Sequence, residues 1–354
     1  MERATADQMA HLRRHGWNFS IVSRRPWGAG RDLFTPFDPE SEACDYRGRF
    51  GWRTHREFGA ALSRRASNAH VTWVVGTSLG ALRAATSNPN PVVLSHHYHH
   101  IERSRDRLKW RAFYEACRKV RAITYPTAFT MAEALHIAPW LSGRVHVVPN
   151  GIEIKYESSA SRRHDRRVAR EELGIPEGAF VVGNAGWLVR RKRFDVFLRV
   201  AAAIAAELPQ ARFEVCGEGP LESELKQLAQ VLNLSGRVVF RGLVSDMETA
   251  YRAWDVCLFN SDFDTLPMTP LQAASFGCVV VASLTYGGLG EFLSHGENGV
   301  FLASHDIRAL RDAVLRVATD ESTACAWREA ARATLATRFS PAACAAALDR
   351  VLRT

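Results

Sequence analysis

Four consecutive basic residues, Arg190, Arg191, Lys192 and Arg193, stand where a strand-like run passes into a helix-like run. Cations at the opening of a helix oppose the helix macrodipole, so their clustering at this point hints at a bound anion. A solvated surface run is the alternative, and it is the commoner explanation of a basic tetrad taken alone. A phosphate-binding role is therefore a hypothesis that neighbouring motifs must support.

A glycine-rich turn is the second candidate anion site, because Gly217 and Gly219 directly follow the apolar run 213–216. Glycine lets a ligand approach the backbone at the carboxyl end of a strand. Two glycines are common in the loops of α/β proteins, so this turn indicates little without further motifs.

Two carboxylates and an amide follow the apolar run 256–259, at Asp262, Asp264 and Gln272. The run that follows predicts a helix beginning near Pro267 or Thr269, and Thr269 with Pro270 resembles an N-cap with proline at the first helical position. The free N–H groups of such a helix start suit a phosphate. Asp262 and Asp264 also match the D-x-D pattern of metal-dependent sugar transferases of another fold. That spacing is common by chance, and we expect no metal here.

Four histidines, His96, His97, His99 and His100, follow the apolar run 91–95. Clustered histidines can bind a metal, but no acidic or cysteine partner is visible nearby, so a metal site is the less favoured interpretation. Packing in the core or at the surface is the alternative for any one of them.

Short β-rich runs alternate with helix-period segments along nearly all 354 residues. This alternation predicts an α/β fold with parallel sheets that are covered on both faces. Pro149, Asn150 and Gly151 predict a boundary between residues 1–149 and 150–339. The polar stretch 156–170 has no apolar stripe, which supports the boundary, and residues 340–354 predict an amphipathic helix.

The composition favours a cytoplasmic protein, because the seven cysteines form no C-x-x-C pair and no run is long enough to span a bilayer. No charged-then-apolar leader opens the chain. The net charge of +9 is typical of a protein with an anionic partner, such as nucleic acid, a phosphate-rich substrate or a membrane surface. Arginine-rich composition throughout the coding sequence would give the same charge.

Taken in order, these segments resemble the family-4 retaining glycosyltransferases of the GT-B fold. The resemblance covers most of the chain, and each segment is weak alone. It lies in residues 91–97, 148–152, 217–220, 240–244, 264–272, 291–292 and 296–300. It implies two Rossmann-like domains that face across a cleft, the first binding the acceptor and the second binding a nucleotide sugar. The C-terminal helix is expected to pack back toward the first domain.

The same resemblance implies the roles of individual residues. Lys192 would bind the donor diphosphate with support from Arg191, Asp264 would meet the sugar hydroxyls, and His97 would lie near the anomeric carbon. His96 is the alternative to His97 if the alignment slips by one residue. The other donor-binding residues would be Gly186, Gly217, Gly219, Arg241, Leu243, Val244, Leu266, Pro267, Met268, Thr269 and Gln272.

The implied reaction uses a UDP or GDP sugar and no metal or other cofactor. No carboxylate is placed as a nucleophile, so front-face substitution with retention is expected. The acceptor would be a glycan, a lipid or a small molecule. Peripheral contact with the inner face of an anionic membrane is also expected, and a nucleic-acid partner is not, because no recognition motif is present.

Two positions depart from the family pattern. Trp187 stands where the family has the arginine of its phosphate motif, and Gln272 stands at the second acid of an E-x7-E motif that begins here at Asp264. An amide can still hydrogen-bond ribose hydroxyls without offering a negative charge. A non-catalytic nucleotide-sugar binder and a related GT-B epimerase or phosphorylase therefore remain alternatives.

The amino terminus predicts a helix over residues 2–15, although a Rossmann-like domain should open with a buried strand. Residues 18–22 would then form the second strand of the domain. We therefore expect the first sheet to lack its opening strand and to have a vacant central position.

Overall fold

The computed structural model describes residues 2–23, 34–43, 52–97 and 104–354. The chain divides into two compact units, Met1–Gly151 with Phe339–Thr354, and Ile152–Arg338. His99 and His100 lie outside the described residues, as do residues 24–33 and 44–51. Along the described part of the chain, no helix is both long enough and apolar enough to cross a membrane.

The first unit contains short parallel strands separated by helices. Its elements are α1 (Glu2–Arg14), β1 (Val22–Ser23), β2 (Glu42–Ala43), α2 (Trp52–Ala66), β3 (Thr72–Val75), α3 (Leu79–Thr86), β4 (Val92–Ser95), α4 (Ser104–Ala116), β5 (Ala122–Tyr125), α5 (Ala128–Ile137) and β6 (Val145–Val147). Strands β3 to β6 form one parallel sheet in chain order. Strands β1 and β2 pair only with each other, so no described strand joins the two sheets.

The second unit is built around a parallel sheet of six strands in the order β12-β11-β10-β7-β8-β9. Its elements are α6 (Ser159–Leu173), β7 (Phe180–Ala185), α7 (Phe194–Glu207), β8 (Ala211–Cys216), α8 (Glu222–Val231), β9 (Val238–Gly242), α9 (Glu248–Ala253), β10 (Val256–Asp264), α10 (Met268–Ser275), β11 (Val279–Gly287), β12 (Val300–Leu302), α11 (Ile307–Thr319) and α12 (Glu321–Arg338). The predicted alternation of strands and helices with parallel sheets is confirmed.

The core of the second unit explains why its strands are so apolar. Val182, Val215, Leu258 and Val281 are fully buried on one face of the sheet, in one hydrophobic cluster with Phe197 of α7. The opposite face is covered as well, because Cys257 and Phe259 of β10 are also fully buried. A sheet covered on both faces needs apolar side chains in both directions, so its strands appear as continuous apolar runs.

The polar stretch after the boundary folds as the helix α6, although it has no apolar stripe. Arginines make up most of its buried stripe instead. Arg166 and Arg170 each donate to the carboxylate of Asp255 at 2.6 Å. Arg162 donates to the main-chain carbonyl of Gly277 at 2.7 Å. Because the buried charges are paired and hydrogen-bonded, the helix can bury a face that no hydrophobic pattern indicates.

The last helix, α13 (Pro341–Arg353), belongs to the first unit. The side chain of Ser340 caps its first turn by accepting from the Ala343 N–H at 3.3 Å. Leu348 and Leu352 are buried in a cluster with Leu12 of α1. The same cluster contains Val93 of β4, so the C-terminal helix packs against the four-stranded sheet of this unit.

Candidate functional site

Two loops of the second unit meet backbone to backbone at the carboxyl ends of β7 and β8. Gly217 has a φ of 131°, and a Cβ at that position would lie 2.0 Å from the carbonyl oxygen of Gly186. A Cβ at Gly219 would lie 2.6 Å from the main chain of Leu188. The Gly186 N–H donates to the Cys216 carbonyl at 2.9 Å. Any larger residue at positions 217 and 219 would force these loops apart.

A cavity of about 290 Å³ opens beside these loops. Its volume is near the lower end of the roughly 300–1,000 Å³ found for small-molecule pockets. The indole of Trp187 is 54% exposed and the side chain of Leu243 is 74% exposed, so two large apolar groups remain uncovered here. The lining residues are Ala185, Gly186, Trp187, Cys216, Gly217, Glu218, Leu243, Val244, Met247, Tyr251 and Thr269. Five of the predicted donor-binding residues thus surround one cavity.

A cationic turn lies next to the cavity. The 3-10 turn Arg190–Lys192 crosses the end of β10. The Lys192 Nζ donates to the Asp264 Oδ2 at 2.5 Å, and the Arg191 Nη1 lies 3.6 Å from the same oxygen. Arg191 also donates to the Phe263 carbonyl at 2.9 Å. The Lys192 Cε lies 3.9 Å from the position of a Cβ at Gly186, so the cations adjoin the glycine loops.

The two carboxylates of the D-x-D pattern each face a cation of the chain. Asp264 is paired with Lys192, and Asp262 accepts from the Arg193 Nη1 at 3.1 Å. Among the described residues, no group of three or more histidine, cysteine or acidic side chains could hold a metal ion. The absence of a metal requirement stays a prediction.

The start of α10 confirms one of the two predicted helix starts, the one near Pro267, and the predicted N-cap at Thr269 is wrong. The helix begins at Met268, and the N-cap position is Pro267, whose backbone is extended and whose side chain cannot accept a hydrogen bond. The Thr269 hydroxyl donates instead to the carbonyl of Ala185 at the end of β7, at 3.0 Å. Leu266 and Pro267 are buried, so this segment can offer a ligand its main chain more readily than its side chains.

Gln272 lies one turn further along α10, beside the cavity residue Tyr251. The Tyr251 hydroxyl donates to the Gln272 Oε1 at 3.2 Å. Because this bond uses the amide oxygen, the two amide N–H groups are the donors that Gln272 can offer to a ligand.

Arg241 does not line the cavity. Its Nε donates to the Oε1 of Glu214 at 2.8 Å, and the Trp254 Nε1 donates to the Oε2 of the same carboxylate at 2.8 Å. Glu214 is 1% exposed, so the guanidinium is held as the counter-ion of a buried charge. No sequence motif predicted this pair. The only available signal was a carboxylate in the middle of an apolar strand.

The two histidines at the end of β4 have different surroundings. His96 is 1% exposed, and its ring lies within 5.7 Å, between ring centroids, of four aromatic side chains. These are Trp110, Phe113, Tyr114 and Tyr125. His96 is therefore a core histidine. His97 is partly buried, and burial lowers the pKa of its imidazole to about 4. Its predicted place near the anomeric carbon stays a prediction.

Both halves of the chain match models of known protein families. Residues 1–156 match the model described as Glycosyltransferase Family 4, and residues 165–334 match the model described as Glycosyl transferases group 1.

Known proteins resemble the chain over different lengths. The D-inositol 3-phosphate glycosyltransferase 2 of Catenulispora acidiphila is 28% identical over 270 residues, which are 73% of this chain and 57% of that protein. The alpha-monoglucosyldiacylglycerol synthase of Streptococcus pneumoniae is 30% identical over 139 residues, 38% of this chain and 32% of that protein. The chain thus spans 57% or less of the length of these curated relatives.

The fold has a close structural counterpart. The crystal structure of Anabaena HepE in complex with UDP-glucose superimposes with a TM-score of 0.82 at 19% sequence identity, covering 99% of this chain and 95% of that one. At this level of identity the likeness concerns the fold.

Proposed function

Because the chain belongs to the family-4 glycosyltransferases of the GT-B fold, we propose that it moves a sugar from a UDP-sugar to a hydroxyl acceptor with retention of configuration. The observation that carries this proposal is the apolar cavity of the second unit directly beside Lys192 and Arg191. A nucleotide sugar has its parts in a matching order, from a planar base through ribose to an anionic diphosphate. UDP is the favoured nucleotide because HepE binds UDP-glucose.

The base and ribose would occupy the cavity. The exposed faces of Trp187 and Leu243 would be covered by the base, and removing apolar surface from water stabilises the complex by about 25 cal/mol per Å². The amide N–H groups of Gln272 would donate to ribose hydroxyl oxygens, and its amide oxygen, which accepts from Tyr251, has a second lone pair for a ribose hydroxyl. Leu243 and Val244 would contact the base, whereas Arg241 would support that loop through its pair with Glu214.

The diphosphate would lie against the cationic turn. Lys192 would take the charge that develops on the leaving group, and Arg191 would compensate for the tryptophan that replaces the family's arginine. The first N–H groups of an α-helix lack partners within the helix, so the main chain of residues 266–269 would hold phosphate or sugar oxygens at the start of α10. Asp264 would accept from sugar hydroxyls beside Lys192.

The reaction would break the bond between the anomeric carbon and the diphosphate oxygen. The acceptor oxygen would form its bond to the same face of that carbon, and its proton would pass to the departing diphosphate. The imidazole of His97 is uncharged at neutral pH, because burial holds its pKa near 4. It would therefore act near the sugar as a hydrogen-bonding group and not as a cation.

Product analysis tests this proposal. The protein is incubated with UDP-glucose and three acceptor classes, namely a sugar alcohol phosphate, diacylglycerol vesicles and an oligosaccharide, and UDP release is measured. We expect UDP release and a product whose anomeric proton coupling matches that of the donor. An inverted product would refute retention. UDP binding without release under every condition would favour the non-catalytic alternative.

Peripheral contact with an anionic membrane is part of the proposal. The net charge of +9 supports it, as does α4, where the cations Arg107, Lys109 and Arg111 surround Leu108, whose side chain is 71% exposed. Basic side chains near an anionic surface each contribute about 1 kcal/mol to binding.

A further inference from the structure

A network of hydrogen-bonded side chains lies beneath the cationic turn and has no role in the proposed donor site. Asn260 donates to the Ser283 Oγ at 2.9 Å, and that oxygen lies 2.6 Å from the His305 Nδ1. The His305 Nε2 lies 3.0 Å from the Asp262 Oδ1, which also accepts from Arg193 at 3.1 Å. The network links the middle of β11 to β10, to the loop after β12 and to the residue that precedes α7.

The serine, histidine and aspartate of this network do not form a nucleophilic triad. Ser283 and Asn260 are both 0% exposed, so no substrate can reach the serine oxygen. The solvent-exposed member of the network is the acid, because the side chain of Asp262 is 47% exposed. A nucleophilic triad has the opposite arrangement, with its hydroxyl open to substrate and its acid buried.

The hydrogen bonds favour one neutral tautomer of His305. With the proton on Nε2, the imidazole donates to Asp262, and its Nδ1 accepts from the Ser283 hydroxyl, whose oxygen accepts from Asn260. The other neutral tautomer would set a bare nitrogen lone pair against a carboxylate. His305 can therefore hold the acid while Ser283 holds its other ring nitrogen.

Arg193, the last member of this network, has an unusual backbone conformation. It has a φ of 47° and a ψ of 44°, a left-handed conformation that is unfavourable for a residue other than glycine. Its guanidinium is held by both oxygens of Asp195 at 3.0 Å and by Asp262. Such a conformation persists only where the surroundings fix it, and these ion pairs do so.

The fixed residues are the chain neighbours of the proposed catalytic pair. Arg193 directly follows Lys192, and Asp262 precedes Asp264 by two residues along β10. We propose that His305 is a positioning residue that acts through Asp262 and Arg193. It sets Lys192 and Asp264 against the donor diphosphate and touches no substrate itself. This inference rests on the function proposed above, because it needs a diphosphate at that pair.

Two substitutions of His305 separate its two hydrogen bonds. His305→Gln can place an N–H group near the Nε2 position and still reach Asp262. His305→Asn places its amide near Nδ1, where it contacts Ser283 and is too short to reach Asp262. Because a misplacement of about 1 Å can cost about 10² in rate, we expect His305→Asn to lower kcat for UDP release from UDP-glucose about 10- to 100-fold. His305→Gln should retain most of the activity.

A double-mutant cycle distinguishes positioning from general support of the fold. If His305 acts through the pair of Lys192 and Asp264, His305→Asn should lower kcat several-fold less in a Lys192→Ala background than in the wild type. Equal fold losses in both backgrounds would overturn the inference, as would equal losses for the Asn and Gln variants. The midpoint of urea unfolding is recorded for every variant, so that loss of folding is recognised.

The outcomes also separate this inference from the proposed function. A wild-type protein that UDP does not stabilise would overturn both. A wild-type protein that binds UDP and releases it from UDP-glucose, with additive losses in the cycle, would overturn the positioning role alone.

Discussion

Replacing Gly217 with alanine tests whether the two glycine loops form the donor site. The new Cβ would lie 2.0 Å from the Gly186 carbonyl oxygen, and real Cβ contacts are essentially never shorter than 3.0 Å. The loops must therefore separate by about 1 Å. Lys192 would move with them, because its Cε lies 3.9 Å from the Cβ position at Gly186.

Two effects follow from this separation. Overpacking and the left-handed backbone at Gly217 should together lower the free energy of unfolding by about 2–4 kcal/mol, measured by urea titration. A displacement of about 1 Å at a reacting centre can cost about 10² in rate, so kcat/KM for UDP release from UDP-glucose should fall by about that factor. Stabilisation by UDP should fall as well.

Gly236→Ala is the matched control in the same unit. Gly236 also has a positive φ of 74°, but a Cβ there would meet no atom within 4 Å. This variant should lose only about 1 kcal/mol of stability and should keep its activity. If Gly217→Ala matched the control within twofold in kcat/KM and in its response to UDP, the assignment of these loops to the donor site would be refuted.

Further predictions concern charge, burial and pH. Lys192→Ala should lower kcat about 10²–10³-fold, because it removes a charge from the leaving diphosphate. Arg190→Ala, at an exposed neighbour, is the control and should change kcat less than about threefold. Initial rates of UDP release measure both. Asp255→Asn removes the counter-ion of the buried arginines of α6 and should destabilise the protein by about 3–5 kcal/mol in urea titrations, and a loss below about 1 kcal/mol would contradict that role. The pKa of His97 is lowered from 6.5 in the unfolded chain to about 4, so the unfolded state binds more protons between these values. Stability should therefore be complete above pH 6.5 and fall by about 3 kcal/mol toward pH 4, and His97→Asn should remove that part of the slope. Vesicles containing phosphatidylserine should sediment the protein at low salt and release it at high salt, whereas equal binding to neutral vesicles would contradict an electrostatic contact.

The sequence predicts the apolar centres of the strands better than their ends. Residues 256–259 are apolar and predict β10, but the strand continues to Asp264. Four of the five extra residues are polar, and polar residues remain in the sheet where they find partners, as Asn260 does with Ser283 on the neighbouring strand. The hydrogen bond that keeps Asn260 in the strand cannot be read from hydrophobic periodicity.

Hydrophobic periodicity does not predict helix α6, for a related reason. Its buried face is made mostly of arginines, with Arg162 and Arg170 buried and Arg166 partly buried, and an arginine is ordinarily a sign of an exposed face. Only the position of Asp255, far along the chain, makes that burial favourable. A pattern rule that treats residues one at a time has no access to such a pair.

The family resemblance predicted candidate site residues that lie within one loop or at the end of one strand. Gly186, Gly217 and Lys192 were predicted in this way, and the fold brings them together. The partner of a predicted residue was not predictable, and Arg241 shows this most clearly. Its pairing with Glu214 depends on the register between β8 and β9, which no local motif encodes.

The most direct test of the central claim is the thermal unfolding of the wild-type protein with and without UDP. A site with a dissociation constant near 100 μM, filled at about 1 mM UDP, would add about 1.4 kcal/mol of stability. For a domain of this size, that corresponds to a rise in melting temperature of roughly 3 °C. The structure predicts such a rise with UDP, and a smaller one when Lys192→Ala replaces the wild type. No rise with millimolar UDP or GDP would contradict the assignment of the second unit as a nucleotide-sugar site.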